Sequence, residues 1–259
     1  MPHQTTTTKS PFQEDPSPSP SSSPPKPKPT FILLHGAFHP PTIYSPLSTL
    51  LLKAGYPVLC PSLPSTFPTS TSPSSFSGLI AGTALKDLDK ESQSRLQKGK
   101  GGGGGGVIRL IYIASFIVPE GFQHTPYGTR ENMVPQMMTD FDKGIITVPS
   151  DIETLRTIFY QDISSDETIA ELAKQLRPQS LASFWGTTTY AAWRVIPTTY
   201  IACMADLEYT VAGFGKLVSA AMASGNHRID NIIEVDAGHF PFITRPEWMA
   251  QTLIKEANR

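Results

Sequence analysis

The sequence predicts an α/β domain in which a mostly parallel sheet carries helices on both faces and an inserted helical cap. Short apolar runs alternate along the chain with amphipathic segments of helical spacing, which is typical of this class. The run from Val107 to Ile117 is almost continuously apolar, as expected of a strand covered on both faces. Residues 122–195 interrupt the alternation with several consecutive helical patterns, which predicts a cap between two strands.

The elements of the sheet domain follow from local signals. Ser45 and Pro46 precede an apolar stripe that stops at Gly55, so a helix is predicted between them. The apolar runs that predict strands are Tyr56–Cys60, Val107–Ile117, Thr198–Met204 and Asn231–Val235. Pro246 opens a closing helix whose apolar residues share one side.

Two capping boxes predict helices within the cap. Ser150 is followed three residues later by Glu153, and Ser164 by Glu167. Each box precedes apolar residues at helical spacing. We therefore expect helices to begin after Ser150 and after Ser164.

Length and composition indicate one domain, at residues 31–259, behind an N-terminal tail. Residues 1–30 are rich in Pro, Ser and Thr, and such a segment buries too little apolar surface to offset the entropy of ordering. We therefore predict a disordered tail. The remaining chain is long enough for one α/β domain, since the 259 residues are 39% apolar.

Charge and cysteine content exclude several classes of partner. The formal net charge is -1 with both signs well mixed, so no nucleic-acid partner is expected. No apolar run approaches the ~18 residues of a membrane span, and no signal-peptide core is present. Cys60 and Cys203 lie in apolar runs without metal-ligand spacing, which predicts reduced thiols in a cytoplasmic protein and no metal site. The oligomeric state is left open.

Three residues occur in the order that serine hydrolysis requires in an α/β protein. The chemistry needs a nucleophile, a histidine that takes its proton, and a carboxylate that orients the histidine. Ser75, Asp206 and His239 supply these groups in the order serine, acid, histidine. Glu208 is the nearest alternative to Asp206 as the acid, and Ser75 has the alternative of merely capping a helix.

From Thr30 onward the chain resembles the small, cofactor-free α/β-hydrolase esterases, a group that includes methyl-ester hydrolases and hydroxynitrile lyases, and especially their fungal relatives. The resemblance rests on these segments: the turn His35-Gly36-Ala37-Phe38-His39, the strand and exit Tyr56 to Pro64, the elbow Ser74-Ser75-Phe76-Ser77-Gly78-Leu79, the acid-bearing strand end Ala202-Cys203-Met204-Ala205-Asp206, the loop Asp236-Ala237-Gly238-His239-Phe240-Pro241, and Arg245-Pro246-Glu247.

The resemblance implies a role for particular residues. Ser75 would be the nucleophile, His239 the general base and Asp206 its orienting acid. The backbone N–H groups of Ala37 and Phe76 would form the oxyanion hole. The implied activity is hydrolysis of a small apolar ester without metal or organic cofactor. Aromatic residues of the turn and the cap are candidates for the substrate pocket, with plain core packing as the alternative: Phe38, Phe184, Trp185 and Trp193.

One region departs from the family. Pro73 and Ser77 stand where the family's elbow has glycines, and residues 62–74 are dominated by Pro, Ser and Thr. A strand and a crossover helix cannot be drawn from so few residues of that kind. The sequence thus predicts a sheet that lacks one central strand. It leaves two alternatives to a working esterase: a catalytically impaired homologue that binds a ligand or a protein, and a truncated gene product.

Overall fold

The structure is a computed structural model that describes residues 27–66, 82–96 and 105–259. Its strands, in chain order, are β1 (Phe31–Ile32), β2 (Val58–Leu59), β3 (Leu110–Ile113), β4 (Met138–Asp140), β5 (Ile145–Thr147), β6 (Gln179–Ser180), β7 (Thr198–Cys203) and β8 (Ile229–Val235). Its helices are α1 (Ser45–Lys53), α2 (Lys90–Leu96), α3 (Ile152–Ile158), α4 (Asp166–Ala173), α5 (Ala182–Trp185), α6 (Glu208–Ala223), α7 (Pro241–Thr244) and α8 (Pro246–Ala257). Residues 1–26 of the predicted tail lie outside the described ranges.

Two parallel sheets form the main layer. In one, β1 pairs with β2; in the other, the order is β3-β7-β8. Successive residues of a strand point to opposite faces, and the two faces of β7 pack in different cores. Ile201 belongs to the larger core with Leu47 of α1 and Leu253 of α8, whereas Tyr200 packs in a second core with Val218 of α6. The predicted arrangement of a parallel sheet with helices on both faces is confirmed.

The described residues contain no strand that joins β1 to β3. The edges of the two sheets instead line a cavity of about 1370 Å³. Its walls include residues 31–34 at one side and residues 105–116 at the other, and it extends to His239. Residues 67–74 of the proline-rich segment lie outside the described residues, so the missing central strand stays a prediction.

The cap contains strands as well as the helices that its sequence pattern predicts. Strands β4, β5 and β6 form an antiparallel sheet, which the helical spacing of this region did not indicate. Both predicted helices are present, but each capping residue is one position later than predicted. Asp151 accepts a hydrogen bond from Thr154 N, and Ser165 accepts one from Thr168 N, because these side chains satisfy the first free N–H groups of α3 and α4.

Strand β3 is shorter in the structure than the apolar run that predicts it. The run Val107–Ile117 yields only the four residues of β3, since its ends leave the ladder with β7. Helix α1 begins at Ser45, one residue earlier than the prediction of Ser45 as the capping residue, and Tyr44 is at the N-cap position. The chain leaves the helix through Gly55 at a φ of 78°, which glycine adopts without strain. Over the described ranges, no helix has the length and apolar character needed to cross a lipid bilayer.

Candidate active site

The carboxyl ends of β7 and β8 bring Asp206 and His239 together. The two strands are adjacent and parallel, so the loops that follow them leave the same edge of the sheet. His239 Nδ1 lies 2.6 Å from Asp206 Oδ2. The Asp206 side chain is only 2% exposed, whereas that of His239 is 26% exposed. The acid is thus buried behind a histidine that reaches solvent.

The hydrogen bonds of this pair define which ring nitrogen can take a proton. A carboxylate can only accept a hydrogen bond, so the proton is assigned to His239 Nδ1, which donates the hydrogen bond to Asp206. Asp206 Oδ1 also accepts from Leu207 N at 2.7 Å, which fixes the carboxylate plane. His239 lines the large cavity, and within the described ranges its Nε2 has no hydrogen-bond partner. This is the arrangement of a general base.

Two buried histidines hold the turn that follows β1. His35 Nε2 accepts from Leu63 N at 3.0 Å, which ties this turn to the segment after β2. His39 Nδ1 contacts Ala37 O at 2.8 Å and Nε2 contacts Tyr160 OH at 2.9 Å. Because the carbonyl oxygen can only accept, Nδ1 is the donor, and Tyr160 donates to Nε2. Both histidines therefore stabilise the conformation of the turn.

The same turn contains the Ala37 N–H, a candidate donor for the oxyanion hole. Phe38 has a φ of 66°, which is unusual for a residue with a side chain. Its N–H donates to Gln179 Oε1 at 3.4 Å and its carbonyl accepts from Arg177 N at 2.8 Å. Ala37 lines the cavity, and its N–H donates to no described residue. A free, fixed N–H is what an oxyanion hole requires.

The burial of His39 predicts an acid-sensitive fold. Desolvation lowers the pKa of His39 from 6.5 to about 3, whereas the same residue in the unfolded chain keeps an ordinary pKa. The unfolded chain therefore takes up the proton first as the pH falls. We expect the free energy of unfolding to drop between pH 6.5 and about 3, by up to about 1.4 kcal/mol per pH unit from this group.

Urea unfolding at a series of pH values would measure this effect in the wild type and in His39→Asn. The asparagine amide can still donate to Ala37 O but does not titrate. The variant should be less stable at pH 8 and show a shallower pH dependence. Equal slopes in the two proteins would contradict the assignment to His39.

The other predicted site residues have different outcomes. Ser75 and Phe76 lie outside the described residues. Phe38 and Phe184 line the cavity that His239 borders. Trp185 is not among the lining residues and donates its Nε1–H to Thr129 O at 2.9 Å. Trp193 is 1% exposed in the second core, where Nε1–H donates to Val118 O at 2.8 Å, so the structure does not place it at the pocket.

Sequence reasoning missed two cap residues beside the His–Asp pair. Gln161 and Asp162 follow α3 and contact the loop that carries His239. They belong to no motif in the sequence, and the residues that they contact are distant along the chain. Only the folded cap brings them to the site.

Parallel strands with helices on both faces, an inserted cap, and a histidine and an aspartate in the loops after two adjacent strands are features of the α/β-hydrolase class of fold. The model of the alpha/beta hydrolase family matches residues 31–252, and the chain belongs to that family. It is 26% identical to the alpha/beta hydrolase nvfD of Aspergillus novofumigatus, over 87% of this chain and 95% of that protein. It is also 26% identical to the probable hydrolase R7 of a Phoma species, over 87% of this chain and 97% of that protein.

Solved structures share the fold at lower identity. A pyrethroid hydrolase from Sphingobium faniae is similar with a TM-score of 0.64 and 18% identity, over 88% of this chain and 97% of that one. Tomato methylketone synthase I is similar with a TM-score of 0.61 and 15% identity, over 89% of this chain and 98% of that one. These likenesses concern the fold.

The alignment with the Aspergillus relative contains gaps in this chain. It runs over 257 positions but takes in only 87% of this 259-residue chain. It therefore contains positions at which the relative has a residue and this chain has none.

Proposed function

We propose that this chain is a serine hydrolase that cleaves a small, largely apolar carboxylic ester through an acyl-serine intermediate. The observation that carries the proposal is the 2.6 Å hydrogen bond between His239 Nδ1 and the buried Asp206. That bond leaves Nε2 as the proton acceptor at the cavity. The hydrolase names of the relatives and the order of Ser75, Asp206 and His239 support the same chemistry.

His239 accepts or donates a proton in each step of the proposed reaction. The Ser75 hydroxyl attacks the ester carbonyl and gives its proton to His239 Nε2. The developing oxyanion accepts hydrogen bonds from the N–H groups of Ala37 and Phe76. His239 returns the proton to the departing alcohol, which leaves an acyl group on Ser75. His239 then takes a proton from a water molecule as the water attacks the acyl carbonyl, and it gives this proton to Ser75 Oγ as the ester bond breaks and the acid leaves.

The lining of the cavity near His239 supports an apolar substrate. Phe38, Phe159, Phe184 and Phe240 are all part of the wall. Aromatic walls favour apolar ligands, because burial of apolar surface away from water lowers the free energy by roughly 25 cal/mol per Å². The free thiols of Cys60 and Cys203 support a cytoplasmic location for the enzyme.

A fluorophosphonate probe tests the nucleophile directly. We expect one covalent adduct, and peptide mapping should place it on Ser75. Ser75→Ala should remove the labelling, and His239→Ala should slow it strongly because the hydroxyl then lacks its base. Labelling of another serine, or none while a control hydrolase reacts, would contradict the proposal.

The separation of the two parallel sheets favours a second candidate, a homologue that binds a ligand or a protein without catalysis. It would also fit the product of a truncated gene. The cavity between residues 31–34 and residues 105–116 lies where a strand between the two sheets would complete them. Sequencing the transcript across codons 66 to 74 distinguishes the cases. An insert that encodes a strand and a helix would identify this chain as truncated, and its absence would leave the chain as the natural product.

A further inference from the structure

We infer that Asp162, assisted by Gln161, is a positioning residue that holds His239 in line with Asp206. The inference rests on the proposed function, because it assigns the cap a part in aligning the catalytic base. Asp162 lies in the turn after α3, so it belongs to the cap and not to the sheet that carries His239. It acts through the backbone of the histidine loop.

The Asp162 carboxylate bridges both ends of that loop. Its Oδ2 accepts a hydrogen bond from Gly238 N at 2.8 Å, immediately before His239. The same oxygen accepts one from Thr244 Oγ1 at 2.8 Å, at the end of α7. A charged acceptor makes each of these bonds stronger than a neutral one would be. The two bonds fix the segment on either side of His239.

Close packing at Gly238 shows how tightly the carboxylate is seated. A Cβ added at Gly238 would lie 2.6 Å from Asp162 Oδ1 and 3.1 Å from Gln161 Oε1. The cap side chains thus occupy the space that a larger residue would need. Glycine at this position lets the carboxylate approach the backbone.

Gln161 contacts both members of the pair. Its Oε1 accepts from His239 N at 3.4 Å, and its Nε2 donates to Asp206 Oδ1 at 3.4 Å. These bonds are long, so Gln161 contributes less than Asp162. Together the two residues connect the cap to the histidine backbone and to the acid that orients the ring.

The expected size of the effect follows from exposure. Asp162 is exposed, so its hydrogen bonds compete with water. We expect Asp162→Ala to lower kcat for a p-nitrophenyl ester about tenfold, with KM changed less than about threefold. Asp162→Asn should retain most of the activity, because one amide oxygen can accept both bonds. Glu171→Ala, which removes an exposed cap carboxylate paired with Lys174, is the matched control.

A second readout does not depend on ester turnover. The proton on His239 Nδ1 gives a downfield NMR resonance when it is bonded to Asp206, and His239→Ala assigns it by its loss. In Asp162→Ala this resonance should broaden or move upfield, whereas Asp162→Asn and Glu171→Ala should keep it. If the wild type shows no turnover, the proposed function fails, while the resonance still tests the positioning. An unchanged, sharp resonance in a folded Asp162→Ala would overturn the inference.

Two further variants keep the test decisive if Asp162→Ala does not fold. Thr244→Val removes one of the two donors and should cause a smaller change in the same resonance. Gly238→Ala, introduced into the otherwise unchanged chain, should disturb the His239 resonance because the new methyl group displaces the Asp162 carboxylate. If neither variant changes it, the inference is overturned.

Discussion

Alanine in place of His239 is expected to lower kcat/KM for an apolar ester by about 10⁴-fold or more. The imidazole is the base for both the attack of Ser75 and the attack of water, so its loss affects each step. Asp206→Asn should cost about 10³-fold to 10⁴-fold although it changes few atoms. Its amide can donate to Nδ1, which favours the tautomer with the proton on Nε2 and leaves no acceptor for the serine proton.

Steady-state kinetics on p-nitrophenyl esters would measure both losses, with circular dichroism to show that the variants fold. Glu208→Gln is the matched control, since Glu208 is an exposed acid two residues beyond Asp206 and forms no hydrogen bond or ion pair with His239 within the described residues. Its activity should equal that of the wild type. If His239→Ala retained the wild-type turnover, the non-catalytic alternative would replace the esterase proposal.

Removal of the buried carboxylate of Glu256 is expected to cause a large loss of stability. The Glu256 side chain is fully buried on α8. It accepts hydrogen bonds from Thr199 Oγ1 at 2.6 Å and from Asn231 Nδ2 at 3.0 Å, which ties α8 to β7 and β8. Arg109, beside β3, lies 3.8 Å away and also binds Asp230. This network joins α8 to β7, to β8 and to Arg109, the residue immediately before β3.

Glu256→Ala should reduce the free energy of unfolding by about 3–5 kcal/mol, because it leaves a cavity and buried polar groups without their acceptor. Glu256→Gln should cost less, since the amide oxygen still accepts from one partner. Urea unfolding would give both values. Glu171→Ala should change the stability by less than about 0.5 kcal/mol, since its ion pair with Lys174 is exposed. A loss below about 1 kcal/mol for Glu256→Ala would contradict the role of the network.

Composition also supports a prediction about the centre of the sheet. Residues 62–74 contain too few apolar residues for a strand and a helix, which predicts that one central strand is missing. Within the described ranges, the parallel strands form two sheets with a cavity between them. An interior strand of a parallel sheet supplies hydrogen bonds at both edges and packing at both faces. If the strand is missing, as the sequence predicts, the sheet should lose these contacts between β1 and β3.

Local signals also determined most of the sheet domain. The apolar runs predicted β7, which is buried along almost its whole length, and β8, in which exposed residues alternate with buried or half-buried ones. Pro246 is the first residue of α8 and Pro46 the second of α1, and both marked the helix starts because proline in the first turn loses no intrahelical hydrogen bond. The order of serine, acid and histidine predicted the pairing of Asp206 with His239.

Tertiary structure decided the features that depend on residues far apart in the chain. Only the fold places Asp206 rather than Glu208 against His239, buries Trp193 in the second core, and brings Asp162 to Gly238. The antiparallel strands of the cap likewise depend on pairing across the segment. A local pattern records which face of an element is apolar, but it does not record what packs against that face, because burial and polar contacts form only when distant segments meet.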